Sequence, residues 1–197
     1  TRVDAVLVTH AHADHIFGFD DIRRFNELQG AAIPVYGGPE TVAAMQRFFP
    51  YVNRPAAPGL SYPRAEFRPA TAPFAVGPFR VEPLPVEHAG IETCGYRIEA
   101  DGRTLGYVPD CHGFGERTAE RLQGLDCLIL DGLRHRPHPT HFSVAESAAA
   151  IRRLGARRGF ITHMTHDLGY EADSPLLPAG VEMPYDGLSL TLAGSAS

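Results

Sequence analysis

Short β-branched runs alternating with helix-period stretches predict an α/β fold, with layered sheets in a single domain spanning residues 1–197. Two further observations point the same way. The chain shows no internal repeat and no obvious linker, and its 197 residues with 44% hydrophobic positions suit one compact core. Gly 20 and Pro 17 add many tight turns, which favours short connected strands over a helical bundle.

The first element is the apolar run from Val3 to Val8, a buried strand ending at Thr9-His10. From His15 to Gln29 the period becomes helical, with Ile16, Phe19, Ile22, Phe25 and Leu28 on one stripe and Gly30 placed to end it; a cluster of Phe17, Phe19 and Phe25 is expected in the core. Ile33 to Tyr36 predicts a second strand, and Pro39 to Phe49 a helix opened by one proline and closed by Pro50. The stretch 50–78, rich in Pro and Arg, predicts a long irregular loop of the kind that covers a substrate. Strands are expected at Phe79–Val86, Cys94–Ala100 and Arg103–Val108, the last two joined by the hairpin turn Asp101-Gly102. A helix over Glu116–Gln123 and a strand over Asp126–Asp131 follow. Ser143 and Glu146 spell a capping box ahead of a helix from Val144 to Leu154, just after His141. Gly159–Thr162 and Leu188–Leu192 complete the expected strands.

Composition removes several classes of chemistry. All 18 positive side chains are Arg, so neither a Schiff-base lysine nor a Lys-dependent phosphate loop is available. A net charge of −5 argues against nucleic acid as partner. The longest apolar runs fall far short of a bilayer span and no signal-peptide pattern opens the chain, so no membrane partner is expected. Three cysteines without CxxC spacing indicate neither a disulfide framework nor a thiolate zinc site, and fit a reducing, cytoplasmic setting.

The histidines carry the chemistry. His10-Ala11-His12-Ala13-Asp14-His15 is His-x-His-x-Asp-His at the exit of a strand, a set of imidazole and carboxylate ligands suited to zinc, manganese or iron. Its spacing places side chains on two sides of a turn, so one loop can feed two metals. His88, Asp110 and His163 share a context with it, each lying just after an expected strand, where side chains from separate strands converge on one mouth.

On these residues the sequence resembles the metallo-β-lactamase superfamily, whose motif matches His10, His12, Asp14 and His15 and continues with His, Asp and His in that order. The resemblance implies an αββα sandwich. It also implies that His10, His12 and His88 hold one metal, that Asp14, His15 and His163 hold a second, and that Asp110 bridges them. Asp131 competes for the bridge, but Gly106 to Asp110 sits where the family's strand-plus-Asp element belongs, and Asp131 looks like its support. Thr140 to Glu146, Thr162 to His166 and Tyr185-Asp186-Gly187-Leu188 look like the phosphodiesterase branch that includes the cyclic phosphodiesterase of phosphonate degradation. Superfamily members usually carry several strands before the first His motif, which here begins at residue 10, so the resemblance implies an N-terminally truncated fragment lacking those strands.

The implied function is a dinuclear metal-dependent hydrolase with two divalent ions, zinc or manganese with iron as an option, acting on small or cyclic phosphate esters. Two such ions lower the pKa of a bridging water, giving hydroxide at neutral pH, and neutralise phosphate oxygens as charge builds. Asp14, Asp110, His141 and His166 are the catalytic candidates, His141 or His166 giving a proton to the leaving alkoxide. His112 is expected in a supporting or exposed role, and His135 and His138, among Arg134, Arg136, Pro137 and Pro139, on a solvated loop. The alternatives are thioester or lactone hydrolysis by the same ligand set, and a metal-stabilised binding module without turnover. A homodimer is the assembly that the resemblance leaves open.

Overall fold

A computed structural model describes residues 2–55 and 58–192. The chain divides into two compact units, Thr1–Gly77 and Pro78–Ser197. Both are mixed α/β, as the alternating pattern predicts.

In the first unit, β1 (Val6–Leu7), β2 (Ile33–Gly37) and β3 (Ala65–Pro69) form a parallel sheet in the order β1-β2-β3, with Val6 opposite Val35 and Ile33 opposite Ala65. Val8, Ile33 and Val35 from this sheet pack with Ile16, Phe19, Ile22, Met45 and Phe49 to form the core. α3 (Pro39–Phe48) starts with proline at its first turn, where the missing N–H costs nothing, and ends before Pro50. The expected helix from His15 is instead three pieces: α1 (Ala13–Ile16), a 3-10 turn (Phe17–Asp21) and α2 (Ile22–Gln29). The strict three-residue stripe explains the break, because a spacing of three is eclipsed in a 3-10 turn and drifts off one face of a 3.6-residue helix. Ile16, Phe19 and Ile22 are buried, Phe25 is half-buried and Leu28 points to solvent. Phe17 is 71% exposed, which corrects its place in the expected core cluster.

The 50–78 stretch is not a single irregular loop. It contains β3 and the short β4 (Phe74–Val76), with Tyr36 and Phe74 stacked at 4.0 Å between ring centroids. Proline punctuation hid both strands. In β3 Glu66 and Arg68 face outward and pair with each other, a charged pattern typical of a sheet edge. Ala56 and Ala57, inside this stretch, lie outside the described residues.

In the second unit β5 (Phe79–Val86), β6 (Thr93–Ala100) and β7 (Arg103–Val108) are an antiparallel meander. The turn between β6 and β7 places Asp101 and Gly102 at φ 49° and 70°, the left-handed pair a two-residue hairpin requires. From β7 the sheet continues in parallel through β8 (Cys127–Asp131), β9 (Arg158–Thr162) and β10 (Val181–Glu182). α4 (Glu116–Arg121) and α5 (Val144–Leu154) are the crossovers that parallel pairing demands. α5 is capped as expected, the Ser143 hydroxyl accepting the Glu146 N–H while the Glu146 carboxylate accepts the Ser143 N–H. Leu84, Val108, Leu128, Leu130, Ile151 and Ile161 lie at the centre of the core.

Two expectations for the C-terminal part are corrected. Leu188–Leu192 forms no strand; the last strand among the described residues is β10, seven residues earlier than that run, beside β9. A short α6 (Tyr170–Asp173), held by the Gly169 N–H on the Asp173 carboxylate, was not anticipated. Cys94, Cys111 and Cys127 form no disulfide, and all three are buried. No helix among the described residues is long and apolar enough to cross a membrane.

Candidate metal centre

The direction of the strands assembles the second unit's candidate ligands. β5 is antiparallel to β6 and β6 to β7, so β5 and β7 run the same way, and β8 and β9 run parallel to β7. The C-terminal ends of β5, β7, β8 and β9 therefore line one edge of the sheet, and His88, Asp110, Asp131 and His163 lie at or just beyond those ends. His141 joins them from the turn that opens α5.

Asp110 is the hub. Its carboxylate is 2% exposed, and His88 Nδ1 lies 3.1 Å and His141 Nδ1 2.8 Å from one oxygen, with His163 Nε2 3.8 Å from the other. Ligand atoms of Asp110, His141 and His163 all fall within 4.8 Å of one another. His88 Nδ1 also lies 3.0 Å from the Thr140 carbonyl. A carbonyl only accepts, so Nδ1 carries the proton and Nε2 presents its lone pair, the tautomer a metal-binding imidazole needs. A buried carboxylate amid imidazoles is a mixed oxygen and nitrogen donor set that fits a divalent transition ion.

Asp131 is fully buried and acts on His141. It accepts the Cys111 N–H at 3.0 Å and lies 2.9 Å from His141 Nδ1. Burial pushes its carboxyl up to about 8, with the Asp110 charge adding to the rise and N–H groups of Cys111, Phe142 and Gly132 opposing it. Burial pushes His141 down to about 4, against the pull of Asp110 and helped by the neighbouring His163, His88 and His138. His141 is thus neutral at pH 7, its Nδ1 turned to the two carboxylates. Gly132, next along from Asp131, is tightly enclosed: a Cβ there would overlap Ile161.

His163 leaves β9 with φ 60°, left-handed for a residue with a side chain, and its ring stacks on His141 at 5.2 Å and 10°. Sparsely populated backbone of this kind costs about 1–3 kcal/mol and collects at functional sites.

In the first unit the chain leaving β1 carries its own cluster. His10 is fully buried, its Nδ1 3.1 Å from the Thr9 hydroxyl and its Nε2 3.0 Å from His12 Nδ1. The His15 ring is 4.2 Å from His10, and the exposed Asp14 carboxylate is 3.5 Å from His15 Nε2. Two imidazole nitrogens turned on each other at this distance are spaced as neighbouring ligands of one tetrahedral ion, whose bonds of about 2.0–2.1 Å put ligand atoms about 3.3 Å apart.

The remaining histidines separate. His166 is 97% exposed and lies 3.8 Å from Asp167, not among the Asp110 group. His112 is half-exposed beside Glu87, and His135 pairs with Asp173 at 2.8 Å. His138, expected on a solvated loop, instead stands with its ring 4.9 Å from that of His141. Its three-residue spacing from His141 is the one mark of this in the sequence.

A mixed α/β fold with His and Asp ligands gathered at strand ends is the arrangement of metal-dependent hydrolases of the metallo-β-lactamase fold. Residues 1–164 match the family model for the beta-lactamase superfamily domain, and the chain belongs to that family. A crystal structure of a diphosphatase from the PhnP family superposes with a TM-score of 0.85 at 33% identity, covering 98% of this chain and 72% of that one. The metallo-beta-lactamase fold protein YhfI from Bacillus subtilis superposes with a TM-score of 0.74 at 19% identity, covering 94% of this chain and 76% of that one, which supports the fold alone. A protein named octanoyltransferase from Porphyromonas gingivalis (strain ATCC BAA-308 / W83) is 29% identical over 192 residues, 94% of this chain; the chain spans only 37% of that protein's length.

Proposed function

We propose that the chain is a dinuclear metal-dependent hydrolase of small or cyclic phosphate diesters. The observation that carries this reading is the buried Asp110 carboxylate among His88, His141 and His163, with the His88 tautomer already set for coordination. His10, His12 and His88 would hold one ion, Asp14, His15 and His163 the other, and Asp110 would bridge. Family membership supports this assignment, since the matched residues 1–164 include all seven. The pair of divalent ions, zinc or manganese, supplies a water of lowered pKa and neutralises phosphoryl oxygens. The protein's own part is orientation: Asp131 and Asp110 hold His141 by Nδ1, so the unprotonated Nε2 is the atom left to exchange a proton beside the substrate.

Phosphate is favoured over a carbonyl substrate by the 33% identity to a diphosphatase. The transferase name belongs to a protein of which this chain covers 37%, and it adds no reaction here. The three buried cysteines outside any disulfide support a reducing, cytoplasmic setting.

Elemental analysis of the purified chain should find two metal equivalents, and the loaded protein should hydrolyse bis(p-nitrophenyl) phosphate but neither lactones nor glutathione thioesters. Asp110→Ala should lower that rate by about a hundredfold or more. Full activity in the variant, or turnover confined to lactones or thioesters, would refute the assignment.

A further inference from the structure

The segment Arg134–His141 is a rigid excursion whose ends are pinned. Leu133 donates its N–H to Phe142, Val144 to Arg134 and Thr165 to Leu133, all within 3.0 Å. The Arg134 guanidinium is spent internally, on the carbonyls of Arg136 and Pro137 at 3.3 Å each. Pro137 and Pro139 flank His138, fixing their own φ and restricting Arg136 and His138 to extended backbone. The loop therefore holds His138 with little entropy left to lose on binding.

Its hydrogen bonds also orient the ring. The Thr140 N–H donates to His138 Nδ1 at 3.3 Å, with the Thr140 hydroxyl at 3.2 Å from the same atom. A nitrogen that accepts an N–H bears no proton, so the proton of neutral His138 sits on Nε2. The same Thr140 carbonyl receives His88 Nδ1, so this one residue sets the tautomers of a metal ligand and of His138. The rings of His88 and His138 each lie 4.9 Å from that of His141, which itself touches Asp110. An N–H donor on a rigid loop beside a centre that neutralises charge on phosphoryl oxygens has an evident acceptor, one of those oxygens. An aliphatic carbonyl would offer it less, because hydrogen bonds to charged oxygens are about twice as strong as those to neutral ones.

We propose that His138 is a substrate-binding residue, its Nε2–H donating to an anionic non-bridging oxygen of the phosphate ester held at the Asp110 centre. The proposal deepens the phosphodiester reading and rests on it. It assigns His138 to binding and leaves proton transfer to His141.

The test compares the metal-loaded native chain with His138→Ala, His138→Gln and His138→Asn. Its readouts are KM and kcat on bis(p-nitrophenyl) phosphate, inhibition by inorganic phosphate, and calorimetric binding of inorganic phosphate without turnover. His138→Ala should raise KM and weaken phosphate binding by about tenfold, the value of one hydrogen bond to a charged group, with kcat changed far less and two metal equivalents kept. Gln places an N–H near the position of Nε2 and should restore most of the affinity. Asn, whose amide reaches only to the position of Nδ1, should not, and this pair decides the matter should the Ala variant fold poorly. If the native chain hydrolyses the diester but His138→Ala leaves KM and phosphate binding unchanged, or Gln and Asn behave alike, the role of His138 falls alone. If the native chain is inert on the diester and turns over lactones or thioesters, the parent reading falls and takes this one with it.

Discussion

His163 shows how a single backbone torsion can separate stability from function. Its φ of 60° lets the residue turn from the end of β9 toward Asp110, at a conformational cost that a glycine would not incur. In metal-free protein His163→Gly should therefore unfold at higher temperature than His163→Ala, by the equivalent of about 1 kcal/mol, while both lose one metal equivalent. Equal melting temperatures for the two would mean that the torsion is not strained. Asp131 and His141 make a related point about charge. Burial drives the acid up to about 8 and the base down to about 4, so the same desolvation disfavours an ion pair between them and keeps the His141 ring neutral. None of this is readable from residue types. Asp131 was legible as an acidic residue at a strand end, but its acceptance of the Cys111 N–H depends on how β7 and β8 are paired.

At the scale of elements, legibility followed local periodicity and punctuation. β5, β7 and α5 match their expected limits, because each has a clear period and a terminating turn or cap. β3 and β4 escaped, since Pro and Arg broke their pattern, and α6 is too short to show a helical period. α5 also carries the centre's immediate support, for its capped start follows His141 by two residues. The hydroxyl and N–H of Ser143 hold the Glu146 carboxyl below its ordinary value of 4.5. A lowered carboxylate adds stability that is complete above the unfolded value and lost as pH falls through the folded one. The melting difference between native protein and Glu146→Gln should thus shrink below about pH 4.5. Ser143→Ala, which removes the buried cap, should cost about 1 kcal/mol in thermal or denaturant unfolding at neutral pH. A difference for Glu146→Gln that grows in acid would contradict the capping account.

Over the whole chain, candidate ligands were easier to mark than their neighbours. His10, His12, Asp14 and His15 announce themselves as a motif, and His88, Asp110 and His163 as residues that follow strands. Strand direction in the second unit then brings the last two beside each other without any local signal. Beyond its three-residue spacing from His141, His138 carried no mark, because its approach depends on a path fixed by guanidinium bonds to loop carbonyls. The division into two compact units places four of the seven proposed ligands in one and three in the other. Ions that bind only the folded chain add to its stability, so chelation should lower the melting temperature read by calorimetry.

The sulfur atoms give the molecule an internal clock. Cys94 lies in β6, Cys127 opens β8 and Cys111 directly follows Asp110, and all are shielded from solvent. A thiol-specific reagent can reach them only through opening, so each site's modification, resolved by mass spectrometry, times the breathing of its own surroundings. Protection by added zinc or manganese should be strongest at Cys111; equal protection at all three would show that the ions stabilise the fold as a whole.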